Sequence, residues 1–412
     1  MQDFDSPAPS IATLRRALGR TTETLARELA SPTERPPEWS DLEWRVARAS
    51  AALHGISPLL SRALRWRGPA SWRRFLEEQR VHTATRYRRI AALLGQIGSR
   101  ARVDGIAFAA LKGAALHAIG LYRGGERPMA DLDLLVRERD VEPMARLLAE
   151  LGYRLSLVTP KNRVYVPSDA PTPAELGEHT DNGITVEIHT SIIEFLPLAK
   201  VDISDQTFPL HLHPGLNSYP SAGALMGHLL LNAAGDMANR RLRFVQLHDI
   251  ALLAPRLAAT DWADVARPQP GGQARWWSLP PLRLAALYFP AAIPPEAIAA
   301  AARDCSVVLS HVSRRQWLSD VSGSKLFVEA FPGIEWAQSV PEALRYIGAR
   351  LRPSAELLAA RQANIRTQPW AAHLPWAHLS QGRRVLRWLL ARQPRPDAFY
   401  TVTAALRYDR QC

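Results

Sequence analysis

Asp131 and Asp133 are the residues whose spacing points most directly to chemistry. They alternate with Leu132 and Leu134 in the segment DLDLLV (131–136), which is the pattern of a β-strand with one buried face. In a strand the two carboxylates share one face, and their Cα atoms lie about 6.6–7 Å apart. Carboxylates this close repel each other, and Mg²⁺ relieves that repulsion while binding substrate phosphates. The pair therefore predicts a magnesium site that holds a nucleotide.

Glu187 is the predicted third carboxylate. In ITVEIHT (184–190) it shares a strand face with Thr185 and His189. If this strand lies beside the 131–136 strand, three carboxylates converge, as a site for two ions roughly 3.5–4 Å apart requires. We expect two Mg²⁺ ions, with Mn²⁺ as a possible substitute, and we expect Glu187 to draw the proton from the acceptor. His189 is either an acceptor-side base or, as we favour, a structural residue.

A phosphate-binding turn is predicted in the segment LKGA (111–114), where a short apolar strand meets a helix. Such a junction offers free backbone N–H groups and the positive end of the helix dipole. We expect Lys112, Gly113 and Ala114 to contact the nucleotide: the glycine allows close backbone approach, and the lysine supplies a positive charge. Arg127, just ahead of the acidic strand, is a further candidate for the triphosphate. An equally reasonable interpretation is that Lys112 is simply a lysine at the end of a strand and does not contact phosphate.

The chain has three regions that differ in the spacing of their apolar residues, and these candidate residues lie in the middle region. Apolar residues at three- and four-residue spacings predict helices over most of residues 10–100. Strand-like and helix-like segments then alternate, and helical patterns return after Pro220. We therefore predict an α+β protein with a helical region at 1–104, an α/β core at 105–215 and a second helical region at 216–412.

The ordered segments resemble a known family. LKGAALHAIGLY, then ERPMADLDLLV, then a helix ending in LGY, then VEIH, is similar to the uncharacterised nucleotidyltransferase family of the DNA polymerase β superfamily. The downstream MGHLLLNAA and LHDIALL also fit its helical part, so the resemblance covers roughly residues 50–300. It implies a small nucleotidyltransferase-type mixed sheet, with Asp131, Asp133 and Glu187 as metal ligands. Lys112-Gly113 replaces the usual Gly-Ser turn of the superfamily.

The resemblance implies transfer of a nucleoside monophosphate from an NTP such as ATP, with release of pyrophosphate, but it does not name the acceptor. The formal charge is +12, from 51 basic and 39 acidic residues spread along the chain. Because this charge is diffuse, we favour a small molecule or peptide as acceptor over RNA. Modification of RNA or protein by a toxin-type enzyme is an alternative, as is a non-catalytic, antitoxin-like binding module.

Several weaker signals are interpreted structurally. The 2 cysteines and the N-terminal sequence MQDFDSPAPS, which has no secretory signal pattern, favour a cytoplasmic protein without membrane segments. His211 and His213 would share a strand face but lack a third metal ligand nearby. Asp249 either shapes a pocket or pairs within the helices. GRRVLRWLLARQ is a basic amphipathic helix with Leu386, Leu389 and Leu390 at helical spacing, and we expect it to dock on the protein itself and not on a membrane.

Overall fold

The computed structural model describes residues 9–159, 161–169, 176–209, 211–268, 274–355, 358, 379–390 and 393–408. The α-helices in these ranges are, in chain order, α1 (Ile11–Ala30), α2 (Asp41–Leu53), α3 (Ser57–Ala63), α4 (Ala70–Val103), α5 (Lys112–Ala118), α6 (Val141–Glu150), α7 (Ser204–Thr207), α8 (Ala222–Ala238), α9 (Phe244–Leu253), α10 (Ala259–Ala266), α11 (Leu279–Tyr288), α12 (Pro295–Arg303), α13 (Val307–Ser313), α14 (Val340–Leu351), α15 (Gln381–Leu390) and α16 (Pro396–Arg407).

The strands form one mixed sheet and one hairpin. They are β1 (Ala107–Ala110), β2 (Asp131–Val136), β3 (Tyr153–Val158), β4 (Asn162–Pro167), β5 (Thr185–His189), β6 (Ile193–Leu196), β7 (Ala199–Asp202) and β8 (Gly215–Asn217). The six-stranded sheet has the order β3-β4-β5-β2-β1-β8, and β6 pairs with β7. β2 is parallel to β5 and antiparallel to β1. The predicted α+β class is therefore confirmed, and so is the order of helices, sheet and helices.

The central strand β2 explains why a short segment can carry a site. Its residues Leu132, Leu134 and Val136 are fully buried and pack with α4 and α6 on one face of the sheet. The opposite face carries Asp131, Asp133 and Leu135, and Leu135 joins a larger apolar cluster that contains residues of α8 and α9. Because side chains alternate across a strand, the buried leucines direct both aspartates towards these helices.

The larger apolar cluster also links the two helical regions. It includes Leu25 and Trp72 from the N-terminal helices together with Leu230, Trp277 and Trp336 from the C-terminal part. The boundaries predicted at residues 104 and 215 accordingly stay a prediction. Among the described residues, no helix combines the length and the apolar composition that crossing a bilayer requires.

One local prediction is wrong and another is confirmed with different contacts. His211 and His213 do not lie in a strand; the nearest strand, β8, begins at Gly215. α15 confirms the amphipathic helix over 381–390, which packs on the protein through Val385 and Trp388, whereas Leu386, Leu389 and Leu390 are 54%, 60% and 78% exposed. Spacing identified an apolar stripe on this helix, yet the contacts formed are centred on the bulky indole and not on the leucines.

Candidate active site

The acidic residues of β2 and β5 are brought together by the register of these two strands. Asp133 lies opposite Glu187, and Asp131 lies opposite Thr185. Paired residues in neighbouring strands project to the same face of a sheet, so the carboxylates of residues 133 and 187 are direct neighbours. The sequence prediction that the two strands are adjacent is confirmed. Asp133 is buried, whereas Asp131 and Glu187 are partly exposed.

Asp133, Glu187 and His189 form a group whose potential ligand atoms all lie within 4.8 Å of one another. His189 Nε2 is 2.9 Å from Asp133 Oδ1 and 3.5 Å from Glu187 Oε2. Asn162 Nδ2 donates to the same Glu187 oxygen. The two carboxylates suit Mg²⁺ or Mn²⁺, whereas an imidazole is a more usual ligand of Zn²⁺ and other transition metals. The group can therefore hold a divalent metal ion, but the choice of Mg²⁺ stays a prediction, and so does the role of Asp131, which lies outside this closest group.

The Lys112 ammonium is the cation that faces these carboxylates. Its Nζ is 3.0 Å from Asp133 Oδ1, the same oxygen that bonds to His189. The backbone of Lys112 has φ of 46°, in the left-handed region that costs about 1 kcal/mol or more for a residue with a side chain. Its N–H donates to Tyr219 Oη at 3.4 Å. A lysine held in this conformation is unexpected for a simple strand-end residue.

Charges and burial separate the two aspartates electrostatically. Burial raises the pKa of Asp131 to about 6, and the neighbouring Asp133 charge acts in the same direction. Burial would also raise the pKa of Asp133, but the Lys112 ammonium and the His189 hydrogen bond hold it well below its usual range. Burial would lower the pKa of Lys112, but the surrounding carboxylates outweigh this effect and raise it. Asp133 is therefore anionic throughout the physiological range.

Two cavities meet at this cluster. The larger has a volume of about 170 Å³ and is bordered by Lys112, Gly113, Asp131 and Asp133 on the sheet side. The smaller, about 40 Å³, lies on the His189 side of the cluster. Leu111, Lys112 and Asn232 line both cavities. Asp131 and Asp133 therefore border the larger cavity, whereas His189 borders the smaller one.

Arg127 lines the larger cavity but is already committed to the protein. Its Nε and Nη2 donate to Asp249 Oδ1 and Oδ2 at 2.8 Å and 2.7 Å, and its Nη1 donates to the Pro128 carbonyl at 3.2 Å. Asp249 also accepts from Tyr122 Oη at 2.8 Å, so this carboxylate is fully satisfied. Gly113 packs against the arginine: a Cβ there would lie 2.4 Å from Arg127 Nη1. Asp249 therefore pairs with Arg127 of the segment before β2, and not within the helices as one of its two considered roles had it.

The wall opposite the sheet consists of residues that the sequence analysis did not assign. His228, Asn232 and Asp236 are spaced four residues apart on the otherwise apolar helix α8, so they form one polar stripe along it. This stripe faces the cluster, with His228 at the smaller cavity, Asp236 at the larger and Asn232 at both. The regular spacing of polar residues in an apolar helix was visible in the sequence and could have identified them. Arg243, just before α9, lines the larger cavity without any such signal.

Comparison of the sequence with known protein families gives a match. The model of a family described as uncharacterised nucleotidyltransferase matches residues 40–290. This span runs from α2 to α11, so it contains the whole sheet and the stripe of α8. No curated protein and no solved structure matched the chain.

Proposed function

The chain belongs to the uncharacterised nucleotidyltransferase family, and we propose that it transfers a nucleoside monophosphate from a metal-bound NTP to an acceptor and releases pyrophosphate. The observation that carries the proposal is the pairing of Asp133 with Glu187 on the sheet face that also carries Asp131, with Asp131 and Asp133 bordering the larger cavity. Clustered, partly buried carboxylates that have no catalytic role would destabilise the fold, because they repel each other.

In this proposal Asp133, Glu187 and Asp131 hold Mg²⁺ or Mn²⁺, and His189 lies beside them. When bound, the metal neutralises phosphate charge and lowers the pKa of the acceptor hydroxyl. The chain itself positions the groups: Asn162 fixes the Glu187 carboxylate, and His189 fixes that of Asp133.

The nucleotide is assigned to the larger cavity, where the turn of Lys112, Gly113 and Ala114 forms one wall. Removal of the Lys112 ammonium from Asp133, to which it is hydrogen-bonded at 3.0 Å, would free an oxygen for the metal and a cation for the phosphates. Arg127 as a direct triphosphate contact stays a prediction, since most of its donors are bonded to Asp249 and Pro128.

The acceptor is assigned to the smaller cavity, which His189 lines. Glu187, whose Oε2 lies 3.5 Å from His189 Nε2, is proposed to take the acceptor proton. A small molecule or peptide is favoured over RNA, since the positive charge of the chain is not gathered into one tract.

The direct test is incubation of the full chain with α-³²P-labelled NTPs, Mg²⁺ and a cell extract, followed by separation of labelled products. The Asp131→Asn, Asp133→Asn double variant is the matched control, because it removes two charges without changing side-chain size. The proposal expects a labelled product with the wild type that is absent with the double variant. Equal labelling by both proteins would show that these carboxylates do not perform the reaction.

A second candidate is a non-catalytic, nucleotide-binding module. It is favoured by the Lys112–Asp133 ion pair, in which an ammonium lies against the metal-facing carboxylate, and by Ala114 in place of a hydroxyl residue. Calorimetric titration with ATP, with and without Mg²⁺, separates the two candidates. Metal-dependent nucleotide affinity supports the transferase, whereas metal-independent affinity supports the binding module.

A further inference from the structure

Arg243 differs from the other buried or half-buried arginines near the site in what its guanidinium contacts. Arg86, Arg127 and Arg240 each bond to carboxylates or carbonyls of the protein. In contrast, within the described ranges no hydrogen bond or ion pair joins the Arg243 guanidinium to any residue, although it lines the larger cavity together with Asp131 and Asp133. An arginine has five N–H donors in a fixed fork, and this fork is free to bind a ligand.

The backbone that carries this guanidinium is fixed. The backbone N–H of Arg243 donates to Gln246 Oε1 at 2.8 Å. The next two N–H groups are held by His54: Phe244 N donates to its Nδ1 at 3.2 Å, and Val245 N to its carbonyl at 3.1 Å. These bonds anchor the first turn of α9 and therefore the Cα of Arg243.

Gly55 provides the space for the end of the side chain. A Cβ at position 55 would lie 2.4 Å from Arg243 Nη2, so only a glycine lets the guanidinium lie there. Gly55 has φ of 64°, which residues with side chains also rarely adopt. The Arg243 guanidinium, which has no hydrogen-bond partner among the described residues, therefore lies against Gly55, where a larger residue would collide with it.

The charges around Arg243 indicate the kind of ligand. The carboxylates of Asp131 and Asp236 line the same cavity, and the Arg243 charge opposes the burial that raises the pKa of each. It is near them without being bonded to either, so its donors remain available when the carboxylates hold a metal ion. A metal-bound polyphosphate brings several oxygens with geometry that matches a guanidinium fork.

We propose that Arg243 is the guanidinium that binds the phosphates of the nucleotide, opposite Lys112 across the larger cavity. This inference rests on the proposed function. Arg243, just before α9, then contacts the phosphates, whereas Arg127 stabilises the cavity wall through its ion pair with Asp249. The nucleotide then lies between the sheet and the helical region, clamped by a lysine from one and an arginine from the other.

The test compares the full-length wild type with Arg243→Met, Arg243→Lys and Arg241→Met. Arg241 is exposed and lies outside the cavity, so its variant is the matched control for removing one positive charge from the same turn. Each protein is titrated calorimetrically with ATP, AMP and inorganic tripolyphosphate in the presence of Mg²⁺, and its thermal midpoint is recorded.

We expect Arg243→Met to weaken ATP and tripolyphosphate binding about 10- to 100-fold, as the loss of a charge-assisted, two-pronged contact predicts. Its affinity for AMP should change much less, and its thermal midpoint should match that of the wild type. Arg243→Lys should recover part of the loss, since it restores the charge but not the fork. Arg241→Met should bind all three probes as the wild type does.

The outcomes separate the two proposals. Wild-type affinity of Arg243→Met for ATP and tripolyphosphate would overturn the assignment of Arg243, while metal-dependent ATP binding would still support the transferase. A wild type that binds tripolyphosphate through Arg243 but shows no metal-dependent ATP affinity would retain the phosphate site and overturn the transferase. A wild type that binds neither probe would overturn both.

Discussion

The Arg127–Asp249 pair offers a sharp test of how the candidate active site is held together. The Asp249 side chain is only 1% exposed, and that of Arg127 is 11% exposed. The two bonds between them, at 2.8 Å and 2.7 Å, connect the segment before β2 to α9. Arg127→Met removes the charge while keeping most of the apolar length of the side chain. The carboxylate of Asp249 then stays buried with the Tyr122 hydroxyl as its remaining donor.

The expected cost follows from the burial of the orphaned charge. Removing one partner of a buried ion pair destabilises a protein by about 3–5 kcal/mol, because the remaining ion is desolvated without compensation. We expect Arg127→Met to lower the free energy of unfolding by that amount. In the double variant Arg127→Met, Asp249→Leu both charges are replaced by apolar groups, and most of the loss should be recovered.

Urea unfolding followed by circular dichroism measures these differences. Arg123→Met is the control: this arginine is exposed, lies four residues away and should unfold like the wild type after substitution. The reasoning is refuted if Arg127→Met unfolds at the wild-type urea concentration but no longer binds Mg·ATP. That result would make Arg127 a ligand-binding residue and not a structural one.

Three further predictions concern the metal site and pH. The Asp131→Asn, Asp133→Asn double variant should lose all NTP turnover; full turnover would show that the metal assignment is wrong. Lys112→Met should bind Mn²⁺ about tenfold more tightly in the absence of nucleotide, since an ammonium no longer lies against Asp133; unchanged affinity in calorimetry would contradict this. Burial, aided by the Arg243 charge, lowers the pKa of His54 to about 3. Below pH 6.5 His54 then takes up a proton only in the unfolded chain, where it has its ordinary pKa of about 6.5. The free energy of unfolding is therefore highest above pH 6.5 and decreases as the pH drops towards 3, by about 2 kcal/mol between pH 6.5 and 5. A His54→Gln variant should lack this part of the pH dependence in urea titrations.

The sequence by itself determined the elements that carry the acidic residues. Strict alternation in 131–136 and 184–190 places polar residues on one strand face, whatever the rest of the fold does, because the period of a strand is two. The buried Leu132 and Leu134 then direct the aspartates to the opposite face of the sheet. The ordered motifs also indicated the family, which the match over residues 40–290 bears out.

Other features depended on contacts between distant segments. Nothing local to Lys112 specifies that its ammonium lies 3.0 Å from Asp133, since this requires the left-handed backbone at the end of β1 and the register of β1 with β2. Likewise, Arg127 resembles a phosphate ligand in the sequence, but its partner Asp249 lies 122 residues further along the chain.

The wall formed by α8 and α9 is the clearest case of a feature that tertiary structure decided. Periodicity shows that His228, Asn232 and Asp236 share one side of a helix, but it cannot show which surface that side faces. Packing of the apolar cluster against the sheet turns this side towards the carboxylates and brings Arg243 over Gly55. Local residue patterns fix the direction of a side chain relative to its own element. Only the long-range burial of apolar surface fixes how one element faces another, and therefore which residues can share a ligand.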